Sequence, residues 1–314
     1  MTQPLPPQAF GPVPPRRRWG RSVLLVLLAG IGALGWHIYT GQRAIHQLRE
    51  AGFVMESQDW LGPRVWAAAR TDWRLVFDFE IWESPPTKWN LDSAKAGELR
   101  NLDAVAPALR RVNPGTLSLS DSAALQNVDG LKGLTGLRTL DLSECDALEN
   151  VDGLKGLTGL QSLDLHLCKA LENVDGLKGL TGLQELDLRY CDALQNVNVL
   201  KGLTGLQSLD LIRGHALQDL EVLKGLTGLQ SLNLSDCTAL QNVDGLKALT
   251  GLNTLYLSGC TSLQSVDGLK GLTRLLPLDL RGCDKIPASA LRELRVALPK
   301  THITFPDGSK LPPP

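Results

Sequence analysis

One phrase, returning at a fixed interval, restricts what this chain can fold into more than any other feature. Gly-Leu-Thr-Gly-Leu begins at Gly133 and recurs at Gly156, Gly179, Gly202 and Gly225, then with one change at Ala248 and at Gly271, each step being 23 residues. Leu117, Leu140, Leu163, Leu186, Leu209, Leu232, Leu255 and Leu278 share one phase, and no insertion disturbs the eight copies. A unit this short cannot bury its own leucines. The copies must stack so that each supplies the apolar cover of the next, giving one continuous core and an elongated body.

Each copy divides into two parts. In Leu140-Asp141-Leu142 the residues alternate apolar, polar, apolar, so a strand here points both leucines inward and Asp141 outward. In Val151-Asp152-Gly153-Leu154 the Asp152 carboxylate is placed to cap a short helical turn. Leu154 and Leu157 then lie three apart on one inward face, and Gly156 and Gly159 punctuate the return to the next strand. The full pattern, Leu137-x-x-Leu140-x-Leu142-x-x-Cys145-x-x-Leu148, resembles the leucine-rich-repeat family in its cysteine-containing form, over about residues 117–283. The resemblance implies an α/β fold: a right-handed leucine-rich-repeat solenoid of about eight 23-residue coils over 113–286, with a parallel sheet on its concave face.

The six cysteines, Cys145, Cys168, Cys191, Cys237, Cys260 and Cys283, stand on one ladder, with Gly214 on the missing rung and Ser122 on the first. Zinc needs ligands converging on one point, and one thiol per coil makes a line, so no metal is expected. Coils about 4.8 Å apart would admit disulfides by distance, but the side chains run parallel rather than toward one another, so six free thiols are expected. In the resembled family this position turns inward and bonds to the loop backbone. Buried thiols would also reconcile the ladder with an oxidising compartment.

The outward strand positions form stripes on the expected concave face. The first reads Asp141, Asp164, Asp187, Asp210, Asn233, Tyr256, Asp279; the second Ser143, His166, Arg189, Ile212, Ser235, Ser258, Arg281; the third Glu144, Leu167, Tyr190, Arg213, Asp236, Gly259, Gly282. Carboxylates on adjacent strands repel, so the acidic row asks either for a cationic partner or for local compensation. Copies are nearly identical at core and return positions and differ in the second and third stripes. Tyr and Arg are frequent binding anchors. The candidate contact set is therefore Asp164, His166, Asp187, Arg189, Tyr190, Asp210, Ile212, Arg213 and Tyr256. His215 replaces an aspartate at a turn and reads as drift. The lysines Lys132, Lys155, Lys178, Lys201, Lys224, Lys247 and Lys270, most of them three residues after an acid, read as a solvated face of helical ion pairs.

No nucleophile elbow, phosphate-binding glycine loop or His-Glu metal motif is present, so neither catalysis nor a cofactor is expected. His166 with Asp164 or Asp187 is the one conceivable acid–base pair, on a surface too open for a converging pocket. A net charge of -1 gives no footprint for nucleic acid.

Outside the repeats, residues 1–20 are a Pro-rich tail ending in arginines, expected to be disordered and cytoplasmic. Ser22 to Thr40 runs 19 residues without Asp, Glu, Lys or Arg, a length of about 28 Å as a helix, close to a bilayer core. Trp19, Trp36 and Tyr39 stand at its ends like an interfacial belt. Residues 21–40 are thus expected to form a single transmembrane helix, uncleaved because no small-x-small cleavage site follows. Arg16, Arg17, Arg18 and Arg21 precede the span while only Arg43 and Arg49 follow closely. By the positive-inside rule the repeats then lie in the periplasm or outside the cell.

Residues 41–112 read as a membrane-proximal spacer and N-terminal cap: a short helix over 60–70, a strand over 74–82, and a capping segment from Leu99 to Val112. Its aromatics Trp60, Trp66, Trp73, Trp82 and Trp89 read as a small core rather than a ligand platform. Residues 287–314 read as a C-terminal cap, with an amphipathic helix from Ala288 to Leu298, a closing strand over 301–305 and a loose Pro-rich end. The functional expectation is a membrane-tethered module that binds a protein, or else a cell-envelope polymer, through its concave face. The alternatives are a scaffolding envelope protein or an accessory subunit of a membrane complex.

Overall fold

A computed structural model describes residues 43–51, 53–55, 88–91, 99–215 and 217–311. Twelve strands form one sheet in chain order: β1 (Phe53–Met55), β2 (Lys88–Leu91), β3 (Thr116–Ser118), β4 (Thr139–Asp141), β5 (Ser162–Asp164), β6 (Glu185–Asp187), β7 (Ser208–Asp210), β8 (Ser231–Asn233), β9 (Thr254–Tyr256), β10 (Pro277–Asp279), β11 (His302–Thr304) and β12 (Lys310–Leu311). From β2 to β11 every neighbour is parallel, and only the outermost pairs, β1 with β2 and β11 with β12, are antiparallel. The register follows the repeat: Leu140 pairs with Leu163, Leu163 with Leu186, Leu186 with Leu209. All eight leucines of that phase are at most 3 % exposed, so the 23-residue period of the sequence is the coil period of the fold.

The ladder continues past each strand. Leu142 N–H donates to the Asp164 carbonyl and Glu144 N–H to the His166 carbonyl, and the same two bonds recur rung after rung. The chain returns through short 3-10 turns rather than α-helix, as at Asp152–Leu154 and Asp175–Leu177. Gly153 shows why these turns hold glycine: a Cβ there would lie 1.9 Å from the Val128 carbonyl oxygen of the coil before.

One local expectation needs correction. Asp152 does not cap its own turn; Asn150 Oδ1 accepts the Asp152 N–H at 3.2 Å, and the same bond recurs from Asn127, Asn173 and Asn242. The Asp152 carboxylate instead meets Lys155 Nζ at 2.9 Å, with matching pairs at Asp129–Lys132, Asp244–Lys247 and Asp267–Lys270. The residue after the lysine takes two conformations along the solenoid. Gly133, Gly156 and Gly179 have φ of 85–87° behind an extended lysine. At Lys224, Lys247 and Lys270 the lysine turns right-handed and the next residue needs no positive φ. That is why Ala248 can replace glycine.

The ends are closed. Helix α1 (Ala106–Val112) buries Ala106, Ala108, Leu109 and Val112, and Leu102 and Val105 are buried with them. Residues 44–50 are helical and contribute Ala44 and Leu48 to the same apolar cluster. Strands β1 and β2, which the sequence did not announce, carry the sheet outward from β3. At the far end helix α2 (Ala288–Ala297) buries Leu294, and β11 falls within the expected closing strand. No helix among the described residues is long and apolar enough to cross a membrane. The span expected over 21–40, the helix over 60–70, the strand over 74–82 and the final prolines lie outside the described residues.

Candidate functional site

The outer face of the sheet is built by one turn used repeatedly. Each strand aspartate folds its side chain back over the chain: Asp141 Oδ1 accepts Ser143 N–H at 3.0 Å, Asp164 that of His166 at 2.9 Å, Asp187 that of Arg189 at 3.0 Å, and Asp210 that of Ile212 at 3.1 Å. Asn233 and Asp279 do the same for Ser235 and Arg281. The acidic row therefore has an internal use, as Asx turns that end each strand. Its members are further compensated by neighbours. Ser118 and Ser143 hydroxyls donate to Asp141 at 3.1 and 2.6 Å, and Asn233 Nδ2 donates to Asp210 at 3.1 Å. At Asp210 burial raises the carboxyl above the ordinary carboxylate range.

The turn then passes through a left-handed residue on every rung. Asp121, Glu144, Leu167, Tyr190, Arg213 and Asp236 have φ of 57–62°, and Gly259 and Gly282 complete the series. Non-glycine residues enter this region at a cost, which glycine would avoid. The third stripe is thus a rim of side chains held in a strained backbone, a property that spacing alone did not reveal.

Within this frame the candidate residues gather unevenly. Arg189 is clamped on Asp187, Nη2 to Oδ2 at 2.6 Å, and its Nε lies 3.8 Å from Asp210; the hydrogen bonds to Asp187 raise its pKa further. One rung on, the Arg213 guanidinium stands 5.3 Å over the Tyr190 ring, a cation–π contact between neighbouring rim positions. Ile212 lies half-buried beside them. On the other side His166 Nδ1 is 2.9 Å from Asp164 Oδ1, and its Nε2 is 3.9 Å from Glu144. Tyr256 stands apart on β9, 39 % exposed, at a separate cleft of about 460 Å³ shared with Pro277, Asp279, Arg281 and His302. The nine residues are a central group of eight and an outlier.

Asp164, His166 and Asp187 bring donor atoms within 4.8 Å of one another, the one such trio among the described residues. Asp187 is already held by the Arg189 guanidinium and Asp164 by His166, so a cation would have to displace both. The trio reads better as an ion-pair network than as a metal centre.

The thiols lie behind this face. Each cysteine Sγ donates to a backbone carbonyl 26 residues earlier, on the preceding coil, as Cys168 to Leu142 at 3.1 Å and Cys283 to Leu257 at 3.0 Å. All six are free and buried. Burial pushes Cys145, Cys191 and Cys237 up to about 12 and raises Cys168 as well, so they are weak nucleophiles serving as turn closers.

A stacked parallel sheet, 3-10 returns and an inward thiol on six of the coils define a repeat solenoid of the leucine-rich type. A family model for leucine-rich repeats, spanning two copies, matches residues 227–271. No curated protein matches the chain. Among solved structures it is similar to the leucine-rich-repeat domain of the type III effector XopL, at 25% identity over 63% of this chain and 71% of that one, with a TM-score of 0.52. It is also similar to internalin C2 from Listeria monocytogenes (24% identity, 61% and 75% covered, TM-score 0.43) and to an internalin, InlF, from the same organism (18%, 69% and 86%, 0.38).

Proposed function

We propose that this chain is a membrane-tethered binding module that grips a protein through the outer face of its sheet, and that it carries out no catalysis of its own. Leucine-rich-repeat domains serve in general as interaction modules. The observation that carries the reading for these residues is the group on rungs β6 and β7. Arg189, Tyr190, Ile212 and Arg213 break an otherwise repetitive pattern at half-buried to exposed positions, while the leucines behind them do not vary. An aromatic ring with an arginine over it, fixed by neighbouring ion pairs, presents a broad contact surface at little cost in side-chain freedom. Tethering rests on the apolar run Ser22–Thr40 and on the excess of arginine before it, which would set the repeats in the periplasm or outside the cell.

Crosslinking mass spectrometry on intact membranes, followed by pull-down, tests the reading. Wild type is compared with a variant carrying Arg189→Glu, Tyr190→Ala and Arg213→Glu. Loss of one crosslinked partner with the remaining set unchanged is the expected result. An identical partner set in both would remove this patch from the account and favour the scaffolding alternative. Crosslinks formed only by residues 41–112 would favour the accessory-subunit alternative.

A further inference from the structure

The coils are not equally well joined. Three devices hold each coil to the next. A thiol bonds to a carbonyl behind the strand, a glycine lets the 3-10 return lie against the preceding coil, and a backbone bond links the segments just before the return. At the contact between residues 185–207 and residues 208–230 all three change together. Gly214 stands where cysteine would be, so the Leu188 carbonyl lacks the bond that Leu142, Leu165, Leu211, Leu234 and Leu257 receive. Val222 stands where glycine would be, although the equivalent Gly245 and Gly268 could not carry even a Cβ, which would fall 2.0 and 2.1 Å from the carbonyl oxygen of the coil before; Val199 makes the same replacement one coil earlier, but there the thiol bond of Cys191 and the backbone bond of Gln195 are both kept. The bond from Gln195 to Glu172 and that from Gln241 to Gln218 are formed, at 3.2 and 3.1 Å, while among the described residues none joins Gln218 N–H to the Gln195 carbonyl.

The packing responds at the same place. Cys191 is 6 % and Leu194 8 % exposed, whereas Cys145, Cys168, Cys237, Cys260 and Cys283 and the leucines Leu148, Leu171, Leu240 and Leu263 are all at 0 %. The 3-10 return of the first coil is also drawn out to Asn198–Gly202. Beyond it the lysine conformation changes from extended to right-handed.

We propose that this contact is a built-in joint, at which the solenoid parts locally before it parts anywhere else, uncovering Cys191. Local opening follows the least stabilised boundary, and in a repeat array that boundary is set by nearest-neighbour contacts. The joint runs beneath the patch of the proposed function, but it stands on the coil contacts alone and does not depend on any partner.

The test uses the full chain in the detergent or membrane in which it is isolated. Native-state alkylation by N-ethylmaleimide, read by mass spectrometry, is expected to label Cys191 about ten-fold or more faster than each of the other five cysteines. Hydrogen exchange is expected to be faster at the Leu188 and Tyr190 amides, which bond across the joint, than at Leu142 and Glu144, which make the same bonds elsewhere. A Gly214→Cys, Val222→Gly variant should bring Cys191 and both amides down toward the rates of the other coils. Six thiols reacting together, exchange fastest at another coil contact, or rates unmoved in a variant that melts at or above the wild-type temperature would each overturn the joint. If that variant melts lower, single Val222→Gly must slow both readouts or the joint fails.

Discussion

At the residue scale the outer face is a compromise between backbone strain and side-chain display. Glu144 has φ of 60° and is exposed, with a distant approach to His166 as its one ion-pair contact among the described residues. Glu144→Gly removes a left-handed cost of about 1–2 kcal/mol against an unfolded-state entropy term of about 0.5–1 kcal/mol. A small net stabilisation follows, visible as a raised urea midpoint; a lowered midpoint would show that the rim is not strained. Asp210 makes a complementary case. Its raised carboxyl pKa means that the folded state holds the proton more tightly than the unfolded state does. Ionisation therefore costs stability as pH rises through the ordinary carboxylate value and on to the raised one. Asp210→Asn, which mimics the neighbouring Asn233, should gain stability over wild type near neutral pH, and the gain should fade as pH falls below the ordinary value. A gain that grows toward low pH would contradict the assignment.

At the element scale the returns depend on asparagine and glycine more than on their visible ion pairs. Asn150→Ala should cost about 0.5–2 kcal/mol, as expected for a lost turn cap. Asp152→Ala should cost about 1 kcal/mol or less, because its pair with Lys155 is half exposed and screened. Equal losses in thermal unfolding would return the capping role to Asp152. The sequence pointed to aspartate because acids favour helix starts. The actual cap sits two residues earlier, ahead of a 3-10 turn too short to follow helix rules. The spacing of Leu140, Leu163 and Leu186, by contrast, was legible to the residue, because a strand with one buried face admits no other register. Strands β1 and β2 were not, since they belong to no repeat and have no period to betray them.

At the scale of the whole molecule, the repeat specifies the scaffold while its irregularities specify what the scaffold is for. The face that varies was readable from the copies. The gathering of Arg189, Asp187 and Asp210 into one clamp, the stacking of Arg213 on Tyr190 and the separation of Tyr256 were not, because they depend on which neighbouring rungs lean together. The missing thiol at Gly214 was visible as a gap in a ladder. Its coincidence with Val222 at one coil contact appears only when the coils are stacked.

The claim on which the rest depends is that residues 23 apart sit side by side on parallel strands. Cysteine-pair crosslinking in the otherwise native chain tests it most directly. Thr139→Cys with Ser162→Cys places thiols on paired residues of β4 and β5 and should be bridged by a short bifunctional alkylating reagent. Thr139→Cys with Ser208→Cys places them three strands apart in the sheet, roughly 14 Å, and should not. Efficient bridging of the second pair, or none of the first, would contradict the stacked solenoid.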